Sequence, residues 1–149
     1  GAAILAVAQQ LDRVGEARVV RLCPEDGSCL PLRVRRCDSF SCRLRGLMFR
    51  RELASDEALL FVQKAEDRMG TSIHMLFVFF PIGVVWLDAE GRVVDTVLAK
   101  PFRPLYAPQA PAQYFIEGPP SMLSEVSVGD RLRVEPIGDV HGSGSDCGR

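Results

Sequence analysis

The chain has 149 residues, of which 47% are hydrophobic and 25% charged, with a formal net charge of -1. This length suits one domain with a real hydrophobic core, and the composition is neither disordered nor collagenous. The near-neutral balance gives no global attraction to nucleic acid or an anionic membrane, and no segment approaches the ~20 apolar residues that a membrane-spanning helix needs.

Residues 1–17 carry two readings. Ala2 to Ala8 is apolar and ends in an Ala-x-Ala pattern before Gln9, as the end of an export signal does. The same residues also suit a short helix from Ile4 to Val14 that packs Leu5, Ala8 and Leu11 on one side. Residues 18–137 read as a single β-rich domain, and residues 138–149, with His141 and Cys147, as a flexible Gly/Ser tail.

Strands are predicted at Arg18 to Leu22 and Leu30 to Val34, joined by the turn Pro24-Glu25-Asp26-Gly27. Another is predicted at Leu59 to Val62. Phe40, Leu44, Leu47 and Met48 make one apolar helical face between Phe40 and Arg50, with Asp38, Ser39 or Ser41 as its cap and Gly46 inside it. Ser72 to Phe80 is almost wholly apolar, which predicts a central strand buried on both faces. On that strand His74 shares a face with Ser72, Leu76 and Val78.

Val84 to Leu87 and Arg92 to Leu98 should form a hairpin, because Asp88 and Gly91 hold the first and fourth places of a type I turn. Pro101, Pro104, Pro108 and Pro111 predict an extended surface loop, a strap with Phe102, Leu105 and Tyr106 packing down onto the core. Gln113 to Glu117 and Arg131 to Glu135 complete the strands. Between them Pro119-Pro120 opens a second short helix, with Met122, Leu123 and Val126 inward and Gly129 as its stop.

Cys23, Cys29, Cys37 and Cys42 cluster, while Cys147 stands apart. The spacings lack the short paired-ligand pattern of a structural zinc site, so no metal is expected. Two disulfides would suit an exported protein, with three pairings open; buried free thiols are the other reading.

Arg45-Gly46-Leu47-Met48 with Arg50, Leu59-Leu60-Phe61, His74-Met75, Pro81-Ile82, Leu87-Asp88 with Gly91, Tyr114-Phe115-Ile116-Glu117 and Val128-Gly129-Asp130 occur in that order. This series resembles the bacterial and archaeal family called domain of unknown function 192, over roughly Leu32 to Val134. The resemblance implies a small, mainly antiparallel β domain with one or two helices, often carried behind an export signal. It implies no activity. The family usually has Asp where this chain has Gly83.

The expected fold is therefore α+β and mainly antiparallel, a small curved sheet or open barrel with one or two short helices. The expected ligand-binding residues are Arg45, Met48, Arg50, His74, Met75, Asp88 and Glu117, with a groove near Arg45, Met48, His74 and Glu117. No catalytic set is assigned. Pairing His74 with Cys42 would make a thiolate nucleophile, and His74 with Met48, Met69 and Met75 would suit copper(I), but no flanking signature supports either. Seven arginines between Arg33 and Arg51 make a locally basic stretch without the interleaved aromatics of a nucleic-acid site; ion pairs with Glu52, Asp56 and Glu57 account for some of it. The leading functional expectation is an extracytoplasmic binding or interaction module for a small molecule or protein, with no cofactor. The alternative is a hydrolase using His74 with Asp88 or Glu117.

Overall fold

A computed structural model of the chain describes residues 6–13, 19–25, 27–37, 42 and 45–137. Leu5, Val14, Arg18, Asp26, the caps Asp38, Ser39 and Ser41, Phe40, Leu44, and the tail with His141 and Cys147 lie outside the described residues.

Helix α1 spans Val7–Arg13 and buries Val7 and Leu11, while Ala8 is exposed. The strands are β1 (Val19–Pro24), β2 (Arg33–Cys37), β3 (Glu57–Asp67), β4 (Ile82–Leu87), β5 (Val93–Ala99), β6 (Ala112–Gly118) and β7 (Leu132–Pro136). They form one seven-stranded sheet in the order β5-β4-β6-β3-β2-β1-β7. Every pairing is antiparallel except β2 with β3. The sheet curls until its edges meet at one corner: Arg92 bridges Arg131, and the Leu132 N–H donates to the Gly91 carbonyl at 2.9 Å. The result is a half-barrel.

Side chains alternate across a strand, so each face of the sheet builds its own core. One contains Leu22, Leu60, Val85, Leu87, Tyr114, Ile116 and Leu132, covered by α1 and by the 3-10 helix Pro120–Ser124 with Met122. The other contains Leu59, Phe61, Val84, Trp86 and Phe115, covered by Leu47, Ile73, Met75 and Val78 from the long connections. Strand β4 is buried at every position, because it lies inside the sheet and is covered on both faces.

The parallel β2–β3 pair positions the site. Parallel neighbours cannot be joined by a tight turn, so the residues that connect them must cross over the sheet. In doing so they carry the segment from Arg45 to Arg50 over the second face. A Cys37–Cys42 disulfide ties the start of this crossover to the end of β2, and a Cys23–Cys29 disulfide closes the loop after β1.

Several expectations are corrected. Ser72 to Phe80 is no strand: its ladder contact is a single bridge from Ile73 to Tyr106, and it turns at Leu76 and Phe77, with φ +61° at Phe77. Ile73, Met75 and Val78 are buried, whereas Leu76, Phe77 and Phe79 are exposed. The face assigned to His74 fails with the strand, and β3 takes the central place, between β6 and β2. Gly46 does not lie inside a helix. Its N–H closes a helical turn on the Cys42 carbonyl at 2.7 Å, and its own φ of +52° ends that turn. The second helix stops at Ser124, and Gly129 serves the later turn into β7, where its N–H donates to Val93. In the proline-rich strap Tyr106 packs down, but Phe102 and Leu105 remain exposed. The Asp88–Gly91 hairpin forms as expected, with the Gly91 N–H on the Asp88 carbonyl at 3.0 Å.

Candidate functional site

Glu117 occupies the penultimate position of β6, flanked across the ladder by Leu59 of β3 and Val84 of β4. All three side chains share the second face. Apolar neighbours on both sides, with the crossover above, leave Glu117 only 8% exposed. Its carboxyl has no hydrogen-bond or ion-pair partner among the described residues. Burial disfavours the charged form, which raises its pKa to about 8. At neutral pH the group is a carboxylic acid, able both to donate and to accept.

Above it opens a cleft of about 80 Å³, whose walls include Leu47, Met48, Phe61, Met75, Ile82 and Phe115. The Phe61 and Phe115 rings stack at 4.6 Å between centroids. The crossover approaches so closely that a Cβ at Gly46 would stand 3.6 Å from Glu117 Oε1 and 3.6 Å from the Phe61 ring. Glycine fits here on two counts: it leaves the carboxyl uncovered, and it tolerates the positive φ at no steric cost.

Arg45 and His74, both exposed, reach the same cleft from the crossover and from the loop after β3. The Leu76 N–H donates to Nδ1 of His74 at 3.2 Å. In the neutral ring this acceptor role places the proton on Nε2, which can then act as a donor. The loop is held in turn by the strap: the Met75 N–H donates to the Arg103 carbonyl at 2.7 Å, and the Ile73 and Tyr106 backbones exchange a pair of bonds at 2.8 Å.

Of the residues singled out in the sequence, Arg45, Met48, His74, Met75 and Glu117 therefore converge on one cleft. Two do not. Arg50 turns away to a two-pronged pair with Glu57, at 2.6 and 3.0 Å, which holds the Glu57 carboxyl below the usual range. Asp88 accepts from the Glu90 and Arg92 N–H groups at 2.9 and 3.0 Å and belongs to its turn. Glu117 makes no cap to the following 3-10 helix. Cys42, bonded to Cys37, offers no thiolate to His74, and Met69 is exposed outside the cleft. Phe61 and Phe115 were missed as wall residues; their one signal was a pair of aromatics in two apolar strands.

Gly83 is not at the cleft. A Cβ there would meet Leu123 Cγ and the Pro119 carbonyl oxygen, each at 3.0 Å. A wider depression of about 280 Å³ lies near Arg21, Leu30, Arg33 and Asp56, but no buried ionisable group faces it. Among the described residues no helix is long and apolar enough to cross a membrane.

Comparison with known proteins places this architecture. A UPF0127 protein of Thermococcus kodakarensis is 44% identical over 106 residues, covering 70% of this chain and 66% of that protein. A UPF0127 protein of Pyrococcus furiosus is 40% identical over 108 residues, covering 71% of this chain and 90% of its own length. The crystal structure of a proposed transcription regulator from Sinorhizobium meliloti 1021 superposes with a TM-score of 0.68 at 26% identity, over 78% of this chain and 92% of that one. A Novosphingobium aromaticivorans protein of unknown function has the same fold, with a TM-score of 0.65 at 19% identity over 77% of this chain and 83% of that one. The model of the family described as uncharacterized ACR, domain of unknown function 192, matches residues 22–134, and the chain belongs to that family.

Proposed function

We propose that the protein is a binding module whose cleft takes a small amine-bearing ligand or the amine-bearing end of a larger one. One observation carries this reading: a buried carboxyl without a partner, at the base of an apolar and aromatic cleft. A buried polar group left unpaired is costly, and a ligand that supplies the missing donor recovers that cost. An ammonium group does so best, because it ionises Glu117 and forms a charge-assisted pair. Arg45 and the His74 Nε2–H at the mouth suit a carbonyl or carboxylate on the same ligand. The size supports a small group: about 80 Å³ is well below the roughly 300–1,000 Å³ of drug-sized sites. The two disulfides support work in an oxidising, extracytoplasmic compartment.

The test is a heteronuclear NMR titration with alanine amide, ethylammonium and acetate. Alanine amide and ethylammonium are expected to shift Gly46 and Glu117, acetate not. For ethylammonium, affinity should rise about tenfold per pH unit up to about 8 and then level, because the ammonium competes with the proton for Glu117. Equal shifts in Glu117→Gln, or none with any probe, would sink the reading.

A second reading draws on the same group. A carboxylic acid that keeps its proton at neutral pH beside a histidine is the equipment of general acid catalysis. Turnover of p-nitrophenyl esters that vanishes in both Glu117→Gln and His74→Ala would favour it over binding alone.

A further inference from the structure

Four phenylalanines stand together on the surface beside the cleft. Phe49 is 54% exposed, Phe77 48%, Phe79 50% and Phe102 50%. Their rings nonetheless touch: Phe49 stacks on Phe77 at 5.1 Å, Phe77 meets Phe102 edge-on at 6.4 Å, and Phe79 lies 5.6 Å from Phe102. Leu76 and Leu105 extend the apolar surface from the same loops. Phe49, Phe77 and Phe102 all hold positive φ, at 66°, 61° and 66°, which is an outlier for a bulky side chain. Folding leaves these rings assembled in water, and an exposed apolar cluster of this kind marks an interaction surface.

The charge around the rings says what meets them. The carrier segments 45–51, 72–81 and 100–106 contain Arg45, Arg50, Arg51, Lys100 and Arg103, and no Asp or Glu, in a chain whose net charge is -1. Arg50 is taken by Glu57, and Arg103 lies over the Tyr106 ring at 5.5 Å. Arg45, Arg51 and Lys100 are exposed and form no ion pair among the described residues. The backbone of the patch is largely self-satisfied. The Phe49 N–H donates to Phe77 at 2.8 Å, Phe102 to Met75 at 2.8 Å, Met75 to Arg103 at 2.7 Å and Val78 to Met75 at 3.1 Å.

We propose that this face docks on an anionic lipid bilayer, the phenylalanines entering the boundary between headgroups and acyl chains while Arg51, Lys100 and Arg103 meet the phosphates. Aromatic and leucine side chains beside basic residues are what holds a peripheral protein in that boundary. The internal hydrogen bonds favour lipid over an acidic peptide. An added peptide strand needs a row of free backbone donors and acceptors, whereas an apolar phase tolerates only backbone groups that are already paired. The proposal is independent of the cleft's ligand.

The experiment is co-sedimentation of the oxidised full chain with vesicles of equimolar phosphatidylglycerol and phosphatidylcholine, against phosphatidylcholine alone. Binding is expected only to the anionic vesicles and should weaken with salt. Phe77→Asn with Phe102→Asn removes two rings while keeping a residue that accepts positive φ, and should reduce partitioning at least tenfold. Arg51→Gln with Lys100→Gln should cost about fivefold per charge. The fluorescence of Trp86 reports whether each variant is folded. Absence of binding to the anionic vesicles overturns the proposal, as does a folded Phe77/Phe102 variant that binds undiminished. A wild-type dimer that the same variant converts to monomer also overturns it, since a second copy would then cover the patch.

Discussion

The indole N–H of Trp86 in β4 donates to the backbone carbonyl of Thr71 at 2.7 Å, with both residues fully buried. This bond fastens the loop carrying His74 and Met75 to a fully buried strand of the sheet. Thr71 reinforces it, its hydroxyl donating to the Asp67 carbonyl at 2.6 Å.

Trp86→Phe keeps a ring in the core but leaves the Thr71 oxygen buried without a donor. The expected cost is about 1–3 kcal/mol in urea unfolding followed by circular dichroism. The His74 resonances should broaden as the loop loosens, while the sheet amides stay protected from exchange.

Glu117 imposes a pH dependence of unusual sign for a carboxylate. Its folded pKa of about 8 lies above its ordinary value of 4.5. Between those limits the folded state keeps a proton that the unfolded chain releases, so stability falls as pH rises from about 4.5 through about 8 and is flat above. Glu117→Gln should flatten that slope and be the more stable protein at alkaline pH. Thermal unfolding of both proteins across that range checks it, and parallel slopes would refute the assignment.

Gly83→Asp is expected to destabilise. Here the new side chain would press on Leu123 and on the Pro119 carbonyl oxygen, and would bury a carboxylate without a donor. About 2–4 kcal/mol is expected from overpacking and desolvation together. Gly83→Ala should cost less, since it retains only the steric part.

Reduction of the disulfides should lower the melting temperature, with about 2 kcal/mol lost for each short loop released. Intact-mass measurement of unreduced protein should show a deficit of about two mass units per bond, as two thiols become one linkage. Cys37→Ser with Cys42→Ser is expected to loosen the crossover and with it the cleft. Cys23→Ser with Cys29→Ser should leave the cleft as it is, because that bond lies near Glu135 of β7, away from the cleft.

The sequence by itself determined the elements that answer to local chemistry. Short apolar runs bounded by turn residues marked most strands, and Asp88 and Gly91 specified their hairpin. Each of these depends on neighbours a few positions away. Burial does not. Ser72 to Phe80 has the apolar content of a core strand, yet half of it faces solvent, because it lies over one face of the sheet with a single bridge to Tyr106 and buries only Ile73, Met75 and Val78 beneath it. Only tertiary structure decided that Glu117 loses its water, since Leu59, Val84 and the crossover at Gly46 come from distant parts of the chain. The same assembly separated Arg45 from Arg50, five residues apart in one motif, sending one to the cleft and the other to Glu57. A carboxyl's charge and a phenylalanine's exposure are set by what the rest of the chain brings beside them, and residue type alone does not contain that information.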